Sequence, residues 1–555
     1  MKTRRSAFFL ALVAILASLA AAARADTEKP HPDADAASQV DADEPGKESG
    51  ESGESDQGAE EAAKPDPDHE ETSTTAGSIV IGGQPIDYDA TAGTIPLTKR
   101  DGSTVASIFY IAYTRKNAAP PEERPIAFCF NGGPGSSSVW LHLGALGPRL
   151  VDLPGDGTQP AMPPFRLVDN AHSLLDVADL VFIDPVSTGY SRAKDPDEAK
   201  QFHGVEQDIE SVGEFVRLYT TRNGRWGSPK FVMGESYGGL RAAGLAHHLQ
   251  ERYGMFLNGI ALVSAVLDFR TLSPDAGSDL PYLAFLPTMT AVAFYHGTLD
   301  AERQQDFAKT MADVRSFARD HYLPALHRGA ELPDADREKI ATLLAAYTGL
   351  PRDVILDTDL RISPTFFRKE LLRDKGIVIG RFDGRVTGTD PDRSGSSPTY
   401  DPSYNVVYGA FSSTLNAYVR GELEFESDLT YEILTSDVRP WNYSRYTNRF
   451  VNLSNQLSTA IKDNPFLQVF VATGHQDLAT PHDAITYSLD HLPLAPELRD
   501  NIHVRQYEGG HMMYTLPQSL VSLKADLAEF VRDATVPDGD GDGERSDQDL
   551  DRDQE

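Results

Sequence analysis

The sequence predicts an α/β protein: a mostly parallel central sheet flanked by helices, with a mainly helical insertion set over it as a cap. Three observations lead there. Short apolar runs closed by glycine-rich or polar turns recur at residues 126–130, 231–233, 466–472 and 503–507, as expected of strands buried on both faces. One of them passes through Gly234-Glu235-Ser236-Tyr237-Gly238 into an apolar helical stretch at 240–249, giving strand, tight turn and helix in succession. Finally, about 460 residues of globular sequence exceed what a single minimal sheet requires, so an insertion is expected.

Taken in chain order, Lys2, Arg4 and Arg5 precede an apolar run at 7–22, and Ala23-Arg24-Ala25 offers an A-x-A cleavage site. Residues 1–25 therefore read as a secretory signal, with an apolar run too short for an integral membrane span. Residues 26–76 are rich in Glu, Asp, Ser, Gly and Pro and hold almost no large apolar side chain, which predicts a disordered acidic linker. The first part of the core is placed at 77–273. Polar and apolar residues alternate in stretches of 80–113, with Asp101-Gly102 as a hairpin turn, so antiparallel strands should lead into the sheet.

The cap is placed at 274–440. Within 301–319, Phe307, Met311, Val314, Phe317 and Ala318 recur at helical spacing, and Ser363 with Pro364 forms an N-cap and first-turn pair. The second part of the core spans 441–535, and 536–555 reads as a disordered acidic tail. Residues 538–543 of that tail fit half of a calcium loop, but the twelfth position is Asp549 and no apolar helix follows, so the reading is a solvated acidic tail.

The chemistry concentrates at strand ends. Ser236 sits in a G-x-S-x-G turn, the context of a nucleophile elbow. Downstream, the run at 466–472 leads to Gly474-His475-Gln476-Asp477, and that at 503–507 to Gly509-Gly510-His511. The order Ser236, Asp477, His511 is the triad order of the α/β-hydrolase fold. Upstream, Asn131-Gly132-Gly133-Pro134-Gly135-Ser136-Ser137-Ser138 follows strand 126–130, where glycines let backbone N–H groups approach a reacting carbonyl oxygen. On residue type alone, Glu235 also fits a solvated turn residue and Asn131 a turn brace.

These segments together resemble the serine carboxypeptidases, with their N-G-G-P-G-x-S-S loop, G-E-S-Y-[AG]-G elbow, G-x-x-D acid loop and G-G-H-M-like histidine loop. Pro185-Val186-Ser187-Thr188-Gly189-Tyr190-Ser191 is similar to a fifth family segment, P-x-G-T-G-[FY]-S, with Ser187 in place of a glycine. The resemblance spans roughly residues 78–535 and is weakest in the middle third. It implies a nucleophile at Ser236, a base at His511 oriented by Asp477, and an oxyanion hole from the N–H groups of Gly133 and Tyr237. It also implies recognition of a substrate's free C-terminal carboxylate by Asn131, Gly132 and Glu235, on peptide substrates, with no cofactor and an acidic optimum. Departures are Cys129 where many members have Trp, Ser136 where they often have Cys, and Ala145 in the segment Ala145-Leu146-Gly147-Pro148 where Glu is common. The last removes one partner from the acid network.

Composition narrows the rest. Cys129 is the one cysteine, so intramolecular disulfides are excluded. A signal-like start without disulfides points to an exported, periplasmic or secreted, bacterial-type enzyme. Residues 26–71 hold 17 acids against 3 bases and residues 538–555 hold 9 against 2, so most of the net charge of −32 belongs to the tails. That balance argues against nucleic acid or anionic membrane partners. His247, His248, His475 and His482 read as surface or packing histidines, and no metal site is expected. Met512 and Met513 read as core filling. The rival readings are an esterase or acyltransferase on the same scaffold, and a catalytically silent binding protein, which would lack a triad member.

Overall fold

The computed structural model describes residues 70–535. The signal-like start, residues 26–69 of the acidic linker and the acidic tail lie outside the described residues. The strands of the main sheet are β1 (Thr72–Ile81), β2 (Gln84–Thr98), β3 (Thr104–Arg115), β4 (Ile126–Phe130), β5 (Asp179–Ile183), β6 (Arg192–Ala193), β7 (Lys230–Glu235), β8 (Gly259–Val263), β9 (Gln468–Gly474) and β10 (Ile502–Tyr507). Their spatial order is β1-β2-β3-β5-β4-β7-β8-β9-β10, with the short β6 alongside β3. From β5 to β10 every neighbouring pair is parallel, whereas β1, β2 and β3 join antiparallel at one edge. The strand at Thr72–Ile81 corrects the expected linker boundary: Thr72 to Ala76 pair with residues 89–93. Backbone pairing orders this polar stretch without needing large apolar side chains.

The central strands are apolar throughout because both faces are covered. Alternate residues of one strand enter opposite cores. Ala127, Cys129, Met233, Ala261 and Ala472 face the core sealed by the C-terminal helix at Pro517–Asp533. Phe128, Phe130, Val232, Leu262 and Val471 face the core sealed by helices α1 (Val205–Arg222) and α2 (Tyr237–Tyr253).

Between β8 and β9 lies a mainly helical region with a third apolar cluster, built from Phe285, Val292, Met311, Val314, Leu344 and Phe367. The periodic stretch forms a helix at Phe307–Phe317. Ser363 caps the helix Pro364–Glu370 by accepting from the Phe366 N–H. Leu478, next to Asp477, packs into this cluster, so the cap is anchored on the acid loop.

Candidate active site

The elbow is built by β7, β8 and α2. Ser236 follows the last residue of β7 with φ 61° and ψ −126°, a region that costs a non-glycine residue about 1–3 kcal/mol and is held only where its surroundings enforce it. Here its N–H donates to Val263 O of β8 at 2.9 Å and its carbonyl accepts from Gly239 N–H of α2 at 2.9 Å. Gly234 is required by space, since a Cβ there would lie 2.1 Å from Gly238 O. Ser236 remains partly exposed while the residues on either side are buried.

Asp477 and His511 come from the loops that end β9 and β10. His511 Nδ1 lies 2.9 Å from Asp477 Oδ2. Asp477 Oδ1 accepts the N–H groups of Ala479 (2.8 Å) and Thr480 (3.0 Å). The Thr480 hydroxyl stands 2.7 Å from Ser264 O, 2.9 Å from Asp477 Oδ2 and 3.0 Å from His511 Nδ1. Ser264 closes the frame, because its Oγ donates to His511 O at 2.7 Å and its neighbour Val263 holds the Ser236 N–H. One strand end thus ties the hydroxyl's loop to the imidazole's loop. Among the described residues no hydrogen bond joins Ser236 Oγ to His511, a looseness common before substrate tightens a site. Burial pulls the His511 pKa down, but the Asp477 carboxylate outweighs it, leaving the imidazole above its ordinary value.

The glycine loop lies directly on the elbow. A Cβ on Gly132 would sit 2.5 Å from Tyr237 N, 2.7 Å from Gly238 N and 2.8 Å from Glu235 O, so only glycine permits the approach. The N–H groups of Gly133 and Tyr237 make no backbone hydrogen bond among the described residues. The loop is braced from outside: Asp184 Oδ1 accepts both the N–H and the hydroxyl of Ser138 at 2.8 Å. Arg241 Nη1 donates to Asn131 O at 2.6 Å while its Nε donates to buried Asp208 at 2.7 Å.

Glu235 and Asn131 are both buried beside Ser236: Glu235 is not a solvated turn residue, whereas Asn131 does brace its turn through the Leu141 N–H. Burial pushes the Glu235 pKa up to about 7, opposed by His511, Tyr514 and Asn131 and assisted by Asp477. Asn131 Oδ1 accepts the Leu141 N–H at 3.1 Å, and its buried Nδ2 completes no hydrogen bond. The Tyr514 hydroxyl donates to Glu235 Oε2 at 2.6 Å.

The cap reaches this centre. His511 N–H donates to Phe382 O at 2.5 Å, Leu478 N–H to Arg381 O at 3.1 Å, and Gly384 N–H to Gln476 O at 2.9 Å. The Phe382 ring lies 5.3 Å from the imidazole. The irregular segment returning from the cap receives the Ser137 N–H on Ile433 O at 3.0 Å, and its Thr435 N–H donates to Gly135 O at 3.0 Å.

Thr480, Tyr514 and Phe382 are the residues that motif reading missed. Thr480 and Tyr514 each stand three positions beyond a motif residue, Asp477 and His511, and that proximity is the one signal the sequence offered. The other histidines pack as expected: His475 against Phe307, His248 against Tyr253, and His482 Nδ1 beside Thr473 Oγ1 at 2.8 Å. His247 faces Glu251 across one helical turn. Among the described residues no group of three His, Cys, Asp or Glu is placed to hold a metal ion, and no helix is long and apolar enough to cross a membrane.

A family model described as serine carboxypeptidase matches residues 83–514. The chain belongs to the serine carboxypeptidase family. Curated relatives include serine carboxypeptidase-like 9 of Arabidopsis thaliana, 26% identical over 170 residues, covering 30% of this chain and 36% of that protein. Serine carboxypeptidase-like 13 of the same plant is 27% identical over 202 residues, covering 36% and 44%. The chain therefore spans less than half the length of these relatives. Among solved structures, Kex1(delta)p, a prohormone-processing carboxypeptidase from Saccharomyces cerevisiae, superposes with a TM-score of 0.50 at 17% identity, covering 80% of this chain and 92% of that one. That likeness is one of fold, the α/β-hydrolase fold.

Within the serine carboxypeptidase family, three of the four positions that depart from the pattern have local explanations. Ser187 takes the left-handed conformation (φ 73°) that glycine adopts easily, and its hydroxyl lies 2.9 Å from His203 Nε2. Ser136 Oγ accepts from Trp140 Nε1 at 2.9 Å. Ala145 is buried, and its neighbour Gly144 packs against the Tyr514 ring.

Proposed function

We propose that the chain is a serine carboxypeptidase that releases C-terminal residues from peptides through an acyl-enzyme on Ser236. His511 takes the Ser236 proton as the hydroxyl attacks the scissile carbonyl, and later gives it to the leaving amine. Asp477 keeps the proton of the resting imidazole on Nδ1 and stabilises the imidazolium. The N–H groups of Gly133 and Tyr237 receive the oxyanion, each worth on the order of a hundred- to a thousand-fold in rate. Water then repeats the sequence on the acyl-enzyme and frees the shortened peptide.

The observation that carries the exopeptidase reading is the buried pair beside the nucleophile: an acid with a pKa near 7 and an amide whose Nδ2 lacks a partner. An unpartnered buried donor is costly, and a terminal carboxylate would satisfy it. Such a carboxylate binds Glu235 well when Glu235 is neutral and poorly when it is charged. Peptide hydrolysis should therefore decline above about pH 7. Export to the periplasm or medium completes the proposal, resting on the signal-like residues 1–25.

A fluorophosphonate provides the test. It should label the peptide containing Ser236 and stop release of C-terminal residues, and Ser236→Ala should take no label. Peptide hydrolysis surviving in Ser236→Ala would overturn the assignment.

A further inference from the structure

Glu235 can serve a carboxylate only if its acid proton points at the ligand, and something must decide which oxygen carries it. The groups weighing most on Glu235 are His511, Tyr514, Asp477 and Asn131. His511 and Asp477 are engaged with one another at 2.9 Å. Asn131 has its Oδ1 committed to Leu141, and its Nδ2, though near enough to favour the ionised form of Glu235, completes no hydrogen bond to either carboxyl oxygen. That leaves Tyr514, from the short turn three residues after His511, whose hydroxyl lies 2.6 Å from Glu235 Oε2 with both side chains buried.

A phenol has one hydrogen. Spent on Oε2, it makes that oxygen an acceptor, and the acid proton of neutral Glu235 must sit on Oε1. Reversing the bond would leave the buried phenolic hydrogen without an acceptor, which costs about 1–3 kcal/mol, or roughly 5- to 150-fold in population. Burial also holds the Tyr514 pKa well above its ordinary value, so the phenol keeps its hydrogen wherever Glu235 titrates. The ring is held against Gly144, where a Cβ would lie 2.6 Å from Tyr514 Cε2.

We propose that Tyr514 is a positioning residue of the carboxylate site, fixing the Glu235 proton on Oε1 so that it is presented to the substrate's C-terminus. This rests on the carboxypeptidase reading above. Two effects of Tyr514→Phe follow with different signatures. Loss of orientation weakens binding of free-acid peptides. Loss of a bond that favours the ionised carboxyl moves the Glu235 titration to higher pH.

The test compares parent and Tyr514→Phe on one peptide with a free or an amidated C-terminus, and on a small acyl ester whose leaving group has no carboxylate, from pH 4 to 9. The expected result for the free acid is a KM about tenfold higher at pH 5 with kcat within about twofold. Its alkaline limb should move upward in pH, and ester hydrolysis should be unchanged. Gly144→Ala, whose methyl would overlap the Tyr514 ring, should reproduce the pattern. If the parent prefers the free acid but the limb and KM stay put in both variants, or the ester changes equally, the inference about Tyr514 is wrong and the carboxylate site stands. If the parent cleaves acid and amide alike, the carboxypeptidase reading falls and takes this inference with it.

Discussion

Replacing Glu235 by Gln tests the acid at the heart of the proposed site. Burial lifts its pKa from an ordinary 4.5 to about 7. At about 1.36 kcal/mol per pH unit, that difference is worth ~3 kcal/mol. The folded pKa is the raised one, so the fold favours the neutral form. The stability it contributes is fully present below about pH 4.5 and is lost as pH rises through about 7. Glutamine is neutral throughout and can still accept the Tyr514 hydrogen. At pH 4 the parent and variant should unfold alike, whereas at pH 8.5 the variant should be more stable by up to ~3 kcal/mol. Unfolding entropy of roughly 2.1 cal/mol/K per residue, over about 460 residues, is ~1 kcal/mol/K, so Tm should rise by ~3 °C at pH 8.5 and by ~0 °C at pH 4. Activity should follow the same titration. The parent's kcat/KM on a free-acid peptide should fall about tenfold per pH unit above 7, and that limb should vanish in Glu235→Gln. Scanning calorimetry and initial rates across pH 4–9 check both. Superimposable parent and variant profiles in Tm and kcat/KM would refute the reasoning.

Three further predictions use the surrounding frame. Asp477→Asn should lower kcat roughly 10⁴-fold with little change in KM, because an amide hydrogen facing Nδ1 leaves the imidazole proton on the wrong nitrogen; steady-state kinetics on the ester read this directly. Gly132→Ala puts a methyl 2.5 Å from Tyr237 N, 2.7 Å from Gly238 N and 2.8 Å from Glu235 O, so the proposed oxyanion donors should be displaced. Its kcat should drop at least ~100-fold, measured against fluorophosphonate titration of active sites. Arg241→Leu leaves Asp208 charged and buried without its 2.7 Å partner. It should cost about 3–5 kcal/mol in denaturant unfolding, most of it recovered when Asp208→Leu is added.

How much of this could be read from the chain depends on the range of the interaction. The strands ending at Phe130, Glu235, Gly474 and Tyr507 announce themselves by local apolar runs, and Asn131, Ser236, Asp477 and His511 follow them in turn at short distance. Ser363 and Pro364 likewise carry their cap locally. The start of β1 at Thr72 escaped because its order comes from pairing with residues 84–93, not from apolar content of its own. The contribution of Tyr514 needs contact with Glu235, 279 positions away in sequence. That of Phe382 needs the cap to fold back over the histidine loop. Neither has a periodicity or spacing that local reading can detect.

The central claim is that the centre at Ser236 engages a chain terminus. One digestion tests it most directly: a peptide with a free C-terminus and its C-terminal amide, incubated in parallel at pH 5 with the purified protein and followed over time by mass spectrometry. The account predicts a ladder of products losing one residue at a time from the free acid, with the amide nearly intact. Internal cuts, or equal trimming of both peptides, would contradict it.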